Sequence, residues 1–178
     1  IPFFNYPALY YRNELEFNNI FKDVCSRGAY ILQSDLEEFE KKLAEFIGCK
    51  YAIGVADGTN AILLGLNAMN ICAEDDVIIS SHTYIATAAA VKMAGANVVF
   101  ADIDSNNLLC AKSAKQQITP KTKLIMPTQL NGRCSDMDAI LDLANTYEIK
   151  IAEDSAQGLG ARYKDRSAGT FGSFGTIS

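Results

Sequence analysis

The sequence alternates short, mostly apolar runs with longer segments of helical periodicity, and this alternation restricts the fold more than any other feature. The predicted strands lie at residues 51–55, 76–79, 98–101, 123–126 and 149–152. The predicted helices between them lie at residues 60–70, 83–94, 111–117 and 136–147. Strands that alternate with helices form right-handed βαβ units around a mainly parallel sheet. The sequence therefore predicts an α/β fold.

The N-terminal segment has a weaker pattern. Residues 1–11 are aromatic and contain Pro2 and Pro7, which predicts an extended arm, and residues 15–21 are weakly helical. We predict that residues 1–33 form an N-terminal arm and a first helix.

A single domain is predicted for residues 34–178. It begins with an amphipathic helix at residues 34–47, and the glycines that follow Gly158 predict short, bent strands. Because the last run reads as an unfinished strand at Ser178, we expect this domain to continue beyond the chain.

Composition limits the class of protein. Hydrophobic residues make up 49% of the 178 residues, and the net charge is −5 with both signs interspersed. Nucleic-acid binding is not expected, because it requires a basic patch. No apolar run reaches the ~18 residues that cross a bilayer, so no membrane association is expected. Residues 1–11 lack the basic start of a secretory signal, and because the chain begins with Ile1 we expect that some residues precede it.

Cysteine and histidine usage argues against a metal site. The five cysteines are widely spaced, no Cys-x-x-Cys occurs, and His82 is the single histidine. Zinc sites use clustered Cys and His ligands, and disulfide-rich chains belong to oxidising compartments. We therefore expect no metal and a reduced, cytoplasmic location.

Two adjacent carboxylates, Glu153 and Asp154, follow the strand predicted at residues 149–152. Ligands of open α/β sheets bind at the carboxyl ends of strands, and a carboxylate there is costly to desolvate unless a cation or hydrogen-bond donors meet it. This strand end predicts a positively charged ligand atom. The alternative is a strand that runs out into a polar surface turn.

Two other strand ends carry polar or aromatic residues. Gly58 and Thr59 precede a predicted helix and are candidates for a phosphate site at its N-terminus, although Asp57 or Thr59 could simply cap the helix. Tyr84 could stack on a flat ring or belong to the core, and His82 is interpreted as structural. The three strand ends together suit a flat, phosphorylated cation such as pyridoxal phosphate (PLP).

Five motifs then occur in an order that resembles one family, the sugar-nucleotide aminotransferases of the DegT/StrS type, which are fold type I PLP enzymes. The motifs are Gly58-Thr59-Asn60-Ala61, Ser81-His82-Thr83-Tyr84-Ile85-Ala86-Thr87, Asp136-Met137-Asp138-Ala139-Ile140, Glu153-Asp154-Ser155-Ala156-Gln157 and Gly169-Thr170-Phe171-Gly172. The likeness covers essentially the whole chain. It implies a three-layer α/β/α arrangement, the large PLP-binding domain of such an enzyme, without the small C-terminal domain.

The resemblance also implies a role for individual residues. Asp154 pairs with the pyridinium nitrogen and is the catalytic residue of this segment, whereas Glu153 has no such role. The other cofactor contacts implied are Gln157 to the phenolic oxygen, Tyr84 against the ring face, and Gly58, Thr59 and Ser178 to the phosphate. The Schiff-base lysine is expected shortly beyond Ser178, outside this chain.

One segment departs from the family pattern. Before the Asp136-Met137-Asp138 motif, family members usually carry a Val-His-Leu-Tyr-Gly-like segment, whereas this chain has Pro127-Thr128-Gln129-Leu130-Asn131-Gly132 and lacks that His and Tyr. The departure leaves the substrate details open.

The resemblance implies a PLP-dependent aminotransferase that transfers an amino group from glutamate or glutamine to a nucleotide-linked keto-deoxysugar, in polysaccharide, lipopolysaccharide or sugar-metabolite biosynthesis. It also implies a homodimer, to which residues 3–11 are a candidate contact. Two alternatives remain: a sugar-nucleotide dehydratase with His in place of the lysine, and a non-catalytic paralogue that binds PLP or a sugar nucleotide. The sugar, the nucleotide and the position of amination stay open.

Overall fold

The computed structural model describes residues 4–178. The chain divides into two compact units, one that ends at Lys42 and one that begins at Leu43. The boundary lies inside a helix, α3, which runs from Ser34 to Ile47. The boundary predicted at residues 33 and 34 stays a prediction.

The first unit contains two more helices, α1 (Tyr6–Arg12) and α2 (Glu14–Arg27), and neither has a buried residue. The Asn5 side chain caps α1 by accepting a hydrogen bond from the Ala8 N–H at 3.2 Å, and Pro7 lies in its first turn, where its missing N–H has no cost. The prediction of an extended arm is therefore wrong from Tyr6 onward, and residues 1–3 of that arm lie outside the described residues.

The second unit contains the alternating elements. Its helices are α4 (Gly58–Ala68), α5 (Ile85–Met93), α6 (Ala111–Gln116) and α7 (Met137–Thr146). Its strands are β1 (Asp76–Ser80), β2 (Asn97–Ala101), β3 (Thr122–Met126), β4 (Lys150–Ile151), β5 (Glu153–Asp154), β6 (Arg162–Tyr163), β7 (Arg166–Ser167) and β8 (Gly175–Thr176). The short strands predicted after Gly158 are confirmed. None of the described helices is long and apolar enough to span a membrane.

The central sheet has the strand order β2-β1-β3-β4, and all of its pairs are parallel. Val77 of β1 lies opposite Val98 of β2 on one side and Leu124 of β3 on the other. β5, which follows directly after β4 in the chain, forms a second parallel pair with β8. The predicted α/β fold with a mainly parallel sheet is confirmed.

Helices cover both faces of this sheet. Val77 and Ile79 of β1 point to one face and pack with Ile62 of α4 and Val91 of α5. Ile78, between them, points to the opposite face, where α6 and α7 pack through other apolar residues. Successive side chains of a strand alternate between the two faces, so a continuous apolar strand is buried on both sides. This is the three-layer arrangement that was expected.

The strand predicted at residues 51–55 is wrong. This segment belongs to no strand in the part of the chain that the structure describes, and Tyr51 and Ile53 are 72% and 79% exposed. Its alternating apolar residues suit a strand, but a strand forms only where a second backbone can pair with it.

Candidate functional site

The two carboxylates of β5 point in opposite directions, as adjacent residues of a strand do. Both are buried: Glu153 is fully inaccessible and Asp154 is 4% exposed. Burial of both side chains rules out the alternative that this strand runs out into a polar surface turn.

Glu153 is held entirely by the protein. Its Oε2 accepts hydrogen bonds from Gln129 Nε2 at 2.8 Å and from the Gly169 N–H at 2.9 Å. Its Oε1 accepts from the N–H groups of Phe171 at 2.5 Å and Gly172 at 3.3 Å. These donors leave the carboxylate fully occupied, so Glu153 fixes the loop that leads to β8 and has no capacity left for a ligand.

Asp154 is less fully occupied. Its Oδ2 accepts a hydrogen bond from Thr87 Oγ1 at 2.5 Å and its Oδ1 accepts one from the Ala156 N–H at 3.2 Å. No ion pair within residues 4–178 includes Asp154. A buried carboxylate without a cation is costly, so the site is complementary to a cationic atom of a ligand.

The start of α4 lies close to Ser178. A Cβ built on Gly58 would be only 2.9 Å from the Ser178 Cβ, so only glycine allows this approach. Asp57 caps the helix by accepting from the Asn60 N–H at 2.8 Å, and this hydrogen bond lowers the pKa of Asp57. The capping interpretation is therefore correct for Asp57, while Gly58 and Thr59 lie in the first turn, where helix N–H groups point outward.

Tyr84 lies at the N-cap of α5 and is 69% exposed. The alternative that it belongs to the core is wrong, and its ring is free to meet a ligand. His82 is exposed as well, and its carbonyl accepts a hydrogen bond from Ser80 Oγ at 3.2 Å.

Gln157 is anchored by a turn that contains one of the departures from the family pattern. The Asn131 N–H donates to Gln157 Oε1 at 3.2 Å, and the Gly132 N–H donates to the Gln157 carbonyl at 2.9 Å. Asn131 and Gly132 have φ values of 55° and 71°, a left-handed conformation that Asn and Gly adopt with the least strain. Asn131 therefore has a structural role here, and it orients the Gln157 side chain.

The predicted residues are brought together through β5 and β8. Asp154 pairs with Thr176 of β8, Ser178 follows two residues later, and Ser178 contacts Gly58. Thr87 connects α5, which begins next to Tyr84, to the same Asp154. The start of α4, the exposed Tyr84 ring and the buried Asp154 carboxylate thus border one region at the carboxyl end of the sheet, as ligand sites of open α/β sheets do.

Sequence reasoning missed a set of threonines next to Asp154. Thr83 and Thr87 Oγ1 atoms are 2.7 Å apart, and Thr128 Oγ1 donates to Thr83 Oγ1 at 2.9 Å. The available signal was the spacing of Thr83 and Thr87, four residues apart in the helix predicted at residues 83–94, which would place them on one face; in the structure Thr83 lies just before the N-cap of α5.

A separate cleft of about 340 Å³ contains none of the predicted site residues. It is lined by residues 47–49 and by Arg162, Asp165, Arg166, Ser167 and Thr170. Both arginines are engaged within it, since Arg162 donates to the Asp165 carbonyl at 2.6 Å and Arg166 Nε to Thr170 Oγ1 at 3.2 Å. The carboxylate that lines this cleft, Asp165, is exposed, whereas Asp154 is buried.

Comparison with known proteins agrees with this geometry. The model of the DegT/DnrJ/EryC1/StrS aminotransferase family matches residues 12–178. Over 144 residues the chain is 42% identical to the UDP-2-acetamido-2-deoxy-3-oxo-D-glucuronate aminotransferase of Pseudomonas aeruginosa, a match that covers 80% of the chain and 40% of that protein.

Solved structures give the same result. The S. venezuelae DesV structure with a ketimine intermediate has a TM-score of 0.91 and 36% identity, and the match covers 95% of this chain and 46% of that one. The ntda structure from Bacillus subtilis with bound cofactor PMP has a TM-score of 0.86 and 34% identity, over 90% of this chain and 37% of that one. The chain thus spans less than half of the length of each of these three proteins.

Proposed function

The chain belongs to the DegT/DnrJ/EryC1/StrS aminotransferase family and has the fold of type I PLP aminotransferases, and from that premise we propose that the protein is a PLP-dependent aminotransferase. It transfers an amino group from glutamate or glutamine to a nucleotide-linked keto-deoxysugar. The names of its relatives support this substrate class, since the Pseudomonas aeruginosa protein is named for a UDP-linked oxo-sugar.

The observation that carries the proposal is the buried Asp154 carboxylate without a cation. The pyridine ring of PLP has one nitrogen, which becomes cationic when it is protonated and so matches the single carboxylate of this site. When bound, PLP serves as an electron sink for the carbanion formed from an amino acid or amino sugar. Asp154 therefore supplies the negative charge that a protonated ring nitrogen of PLP requires.

Each site residue has a proposed role toward this cofactor. Asp154 keeps a proton on the ring nitrogen, and Gln157 donates an amide hydrogen to the phenolic oxygen. Tyr84 covers one ring face and excludes water from it. Gly58, Thr59 and Ser178 hold the phosphate through backbone N–H groups and hydroxyls at the N-terminus of α4.

The base that moves the proton is proposed to be a lysine that lies beyond Ser178 in the complete protein. We further propose that the enzyme is a cytoplasmic homodimer in the biosynthesis of a cell-surface polysaccharide, such as lipopolysaccharide, or of a sugar metabolite. A dehydratase would carry His in place of this lysine, and a non-catalytic paralogue would carry neither residue.

The first test uses the full-length protein incubated with PLP. Borohydride reduction followed by mass spectrometry should locate a covalent PLP adduct on a lysine shortly after Ser178. Bound PLP without an adduct would instead favour the dehydratase or the non-catalytic paralogue. A protein that does not bind PLP would refute the proposed function.

The second test changes Asp154. Asp154→Asn keeps the size of the side chain but removes the charge that holds the ring proton, so transamination should fall by at least ~100-fold while PLP still binds. Asp142→Asn, an exposed carboxylate on α7, is the matched control and should retain full activity. Near-normal turnover of Asp154→Asn would contradict the assignment.

A further inference from the structure

Three threonine hydroxyls lead through the protein to Asp154. Thr128 Oγ1 donates to Thr83 Oγ1 at 2.9 Å, Thr83 and Thr87 Oγ1 are 2.7 Å apart, and Thr87 Oγ1 donates to Asp154 Oδ2 at 2.5 Å. We call Thr128, Thr83 and Thr87 the threonine chain. It joins distant parts of the sequence, since Thr87 lies 67 residues from Asp154 and Thr128 lies 45 residues from Thr83.

A charged Asp154, which can only accept, fixes the direction of every hydroxyl proton in the threonine chain. A hydroxyl has one proton to donate and two lone pairs that accept. Because Thr87 donates its proton to Asp154, it must accept from Thr83. Thr83 has then used its proton and must accept from Thr128, which agrees with the geometry of this pair. All three protons therefore point toward the carboxylate.

Burial strengthens the hydrogen bonds that lead to Asp154. Thr87 is fully inaccessible, and Thr128 and Asp154 are both 4% exposed. In such a low-dielectric environment hydrogen bonds in a chain polarise one another, and a carboxylate strengthens the first of them. Donors to a carboxylate favour its charged form, and two hydrogen bonds on different oxygens also fix its orientation.

We propose that the threonine chain is a positioning device that holds Asp154 in its charged form and keeps the shared proton on the nitrogen of the bound cofactor rather than on the carboxylate. This inference rests on the proposed function, since it requires PLP in the site. The threonines act through Asp154 and do not contact the reacting atoms.

The decisive readout is the 15N chemical shift of PLP labelled at its ring nitrogen, bound to the full-length protein at a fixed pH. In wild type this signal should lie in the range of a protonated pyridine. Thr87→Val removes the hydroxyl that donates to Asp154, so the 15N signal should move toward the range of an unprotonated pyridine. PLP should also bind about tenfold more weakly, because one charge-assisted hydrogen bond is lost. Thr87→Ser keeps a hydroxyl and should restore both values.

Thr128→Val tests the far end of the threonine chain, because the Thr128 hydroxyl donates to Thr83 although the Thr128 backbone pairs with Asp154 in a parallel bridge. It should move the 15N signal in the same direction by a smaller amount, with an affinity loss of roughly two- to threefold. Thr176→Val is the matched control, because Thr176 is a buried threonine paired opposite Asp154 whose hydroxyl donates instead to the Glu153 carbonyl at 3.4 Å. Its 15N signal should equal that of wild type.

Two outcomes would overturn the inference. If Thr87→Val and Thr128→Val bind PLP with a wild-type 15N signal, the threonine chain has no influence on the ring proton. If Thr176→Val shifts the signal as much as Thr87→Val, the effect is a general loss of packing. A wild-type protein that does not bind PLP would refute the proposed function itself, and this inference with it.

Discussion

Replacing Glu153 by Gln should destabilise the protein although it changes only one atom of the side chain. Glu153 is fully buried and accepts four hydrogen bonds, from the side chain of Gln129 and from the N–H groups of Gly169, Phe171 and Gly172. A glutamine has only one acceptor oxygen. Its amide group, which is itself a donor, must therefore face two other donors in either orientation.

The magnitude follows from these contacts. In the less costly orientation the new amide faces Gly169 and Gln129, and a buried N–H left without an acceptor costs ~1–3 kcal/mol. The hydrogen bonds from Phe171 and Gly172 remain but lose the contribution of the charge, about half of their strength. Together these effects give ~3–5 kcal/mol, similar to the cost of breaking other buried charged networks. This is a large part of the ~5–15 kcal/mol that stabilises a typical domain.

The assay combines thermal unfolding with hydrogen exchange of the full-length protein. Glu153→Gln should lower the melting temperature by roughly 6–20 °C, and the amides of Gly169 and Phe171 should lose protection first. Glu74→Gln is the control, since Glu74 is 86% exposed in its side chain and should melt like wild type. A Glu153→Gln protein that melts within about 2 °C of wild type, with unchanged protection of both amides, would refute the reasoning.

Two further predictions concern a thiol and a glycine. Burial, and to a lesser extent the charge of Glu153, raises the pKa of the Cys134 thiol to about 11. At pH 8 iodoacetamide should therefore alkylate Cys134 far more slowly than the exposed Cys72. Peptide mass spectrometry measures both alkylation rates, and equal rates would contradict the prediction. In Gly175→Ala the new Cβ would overlap the Gly169 carbonyl oxygen, so β8 must move and the free energy of unfolding should fall by ~1–3 kcal/mol, which lowers the melting temperature. An unchanged melting curve would contradict this prediction.

The fold was predictable wherever local pattern and final environment agree. The runs at residues 76–79 and 123–126 are buried on both faces of the sheet, and their predicted bounds lie within one residue of β1 and β3. Residues 51–55 also have an apolar pattern but belong to no strand in the described chain, and strand pairing cannot be read from a short stretch of sequence. At Tyr6–Arg12 the Asn5 cap starts a helix in which Pro7 occupies a first-turn position that tolerates proline, so Pro7 did not indicate an extended arm.

The candidate site was predictable in its residue types but not in its contacts. The motifs around Gly58, Tyr84 and Asp154 are recognisable from the sequence, and the structure places them along one edge of the sheet. The threonine chain was not predictable, because its hydrogen bonds join residues 45 and 67 positions apart and depend on side-chain rotamers. The role of each predicted residue toward the cofactor stays a prediction until the experiments above are made.

The opposite orientation of the two β5 carboxylates has a consequence for how the chain can vary in length. A shift of the strand by one residue would turn Asp154 away from the candidate site and present Glu153 to it, since strand side chains alternate with a period of two. The backbone resists this shift, because Asp154 bonds to Pro127 and Gln129 on one side and pairs with Thr176 on the other. A single-residue insertion is therefore tolerable where the turn after α7 absorbs it. The same insertion within the strand would place Glu153, the residue that anchors the loop before β8, at the position of Asp154.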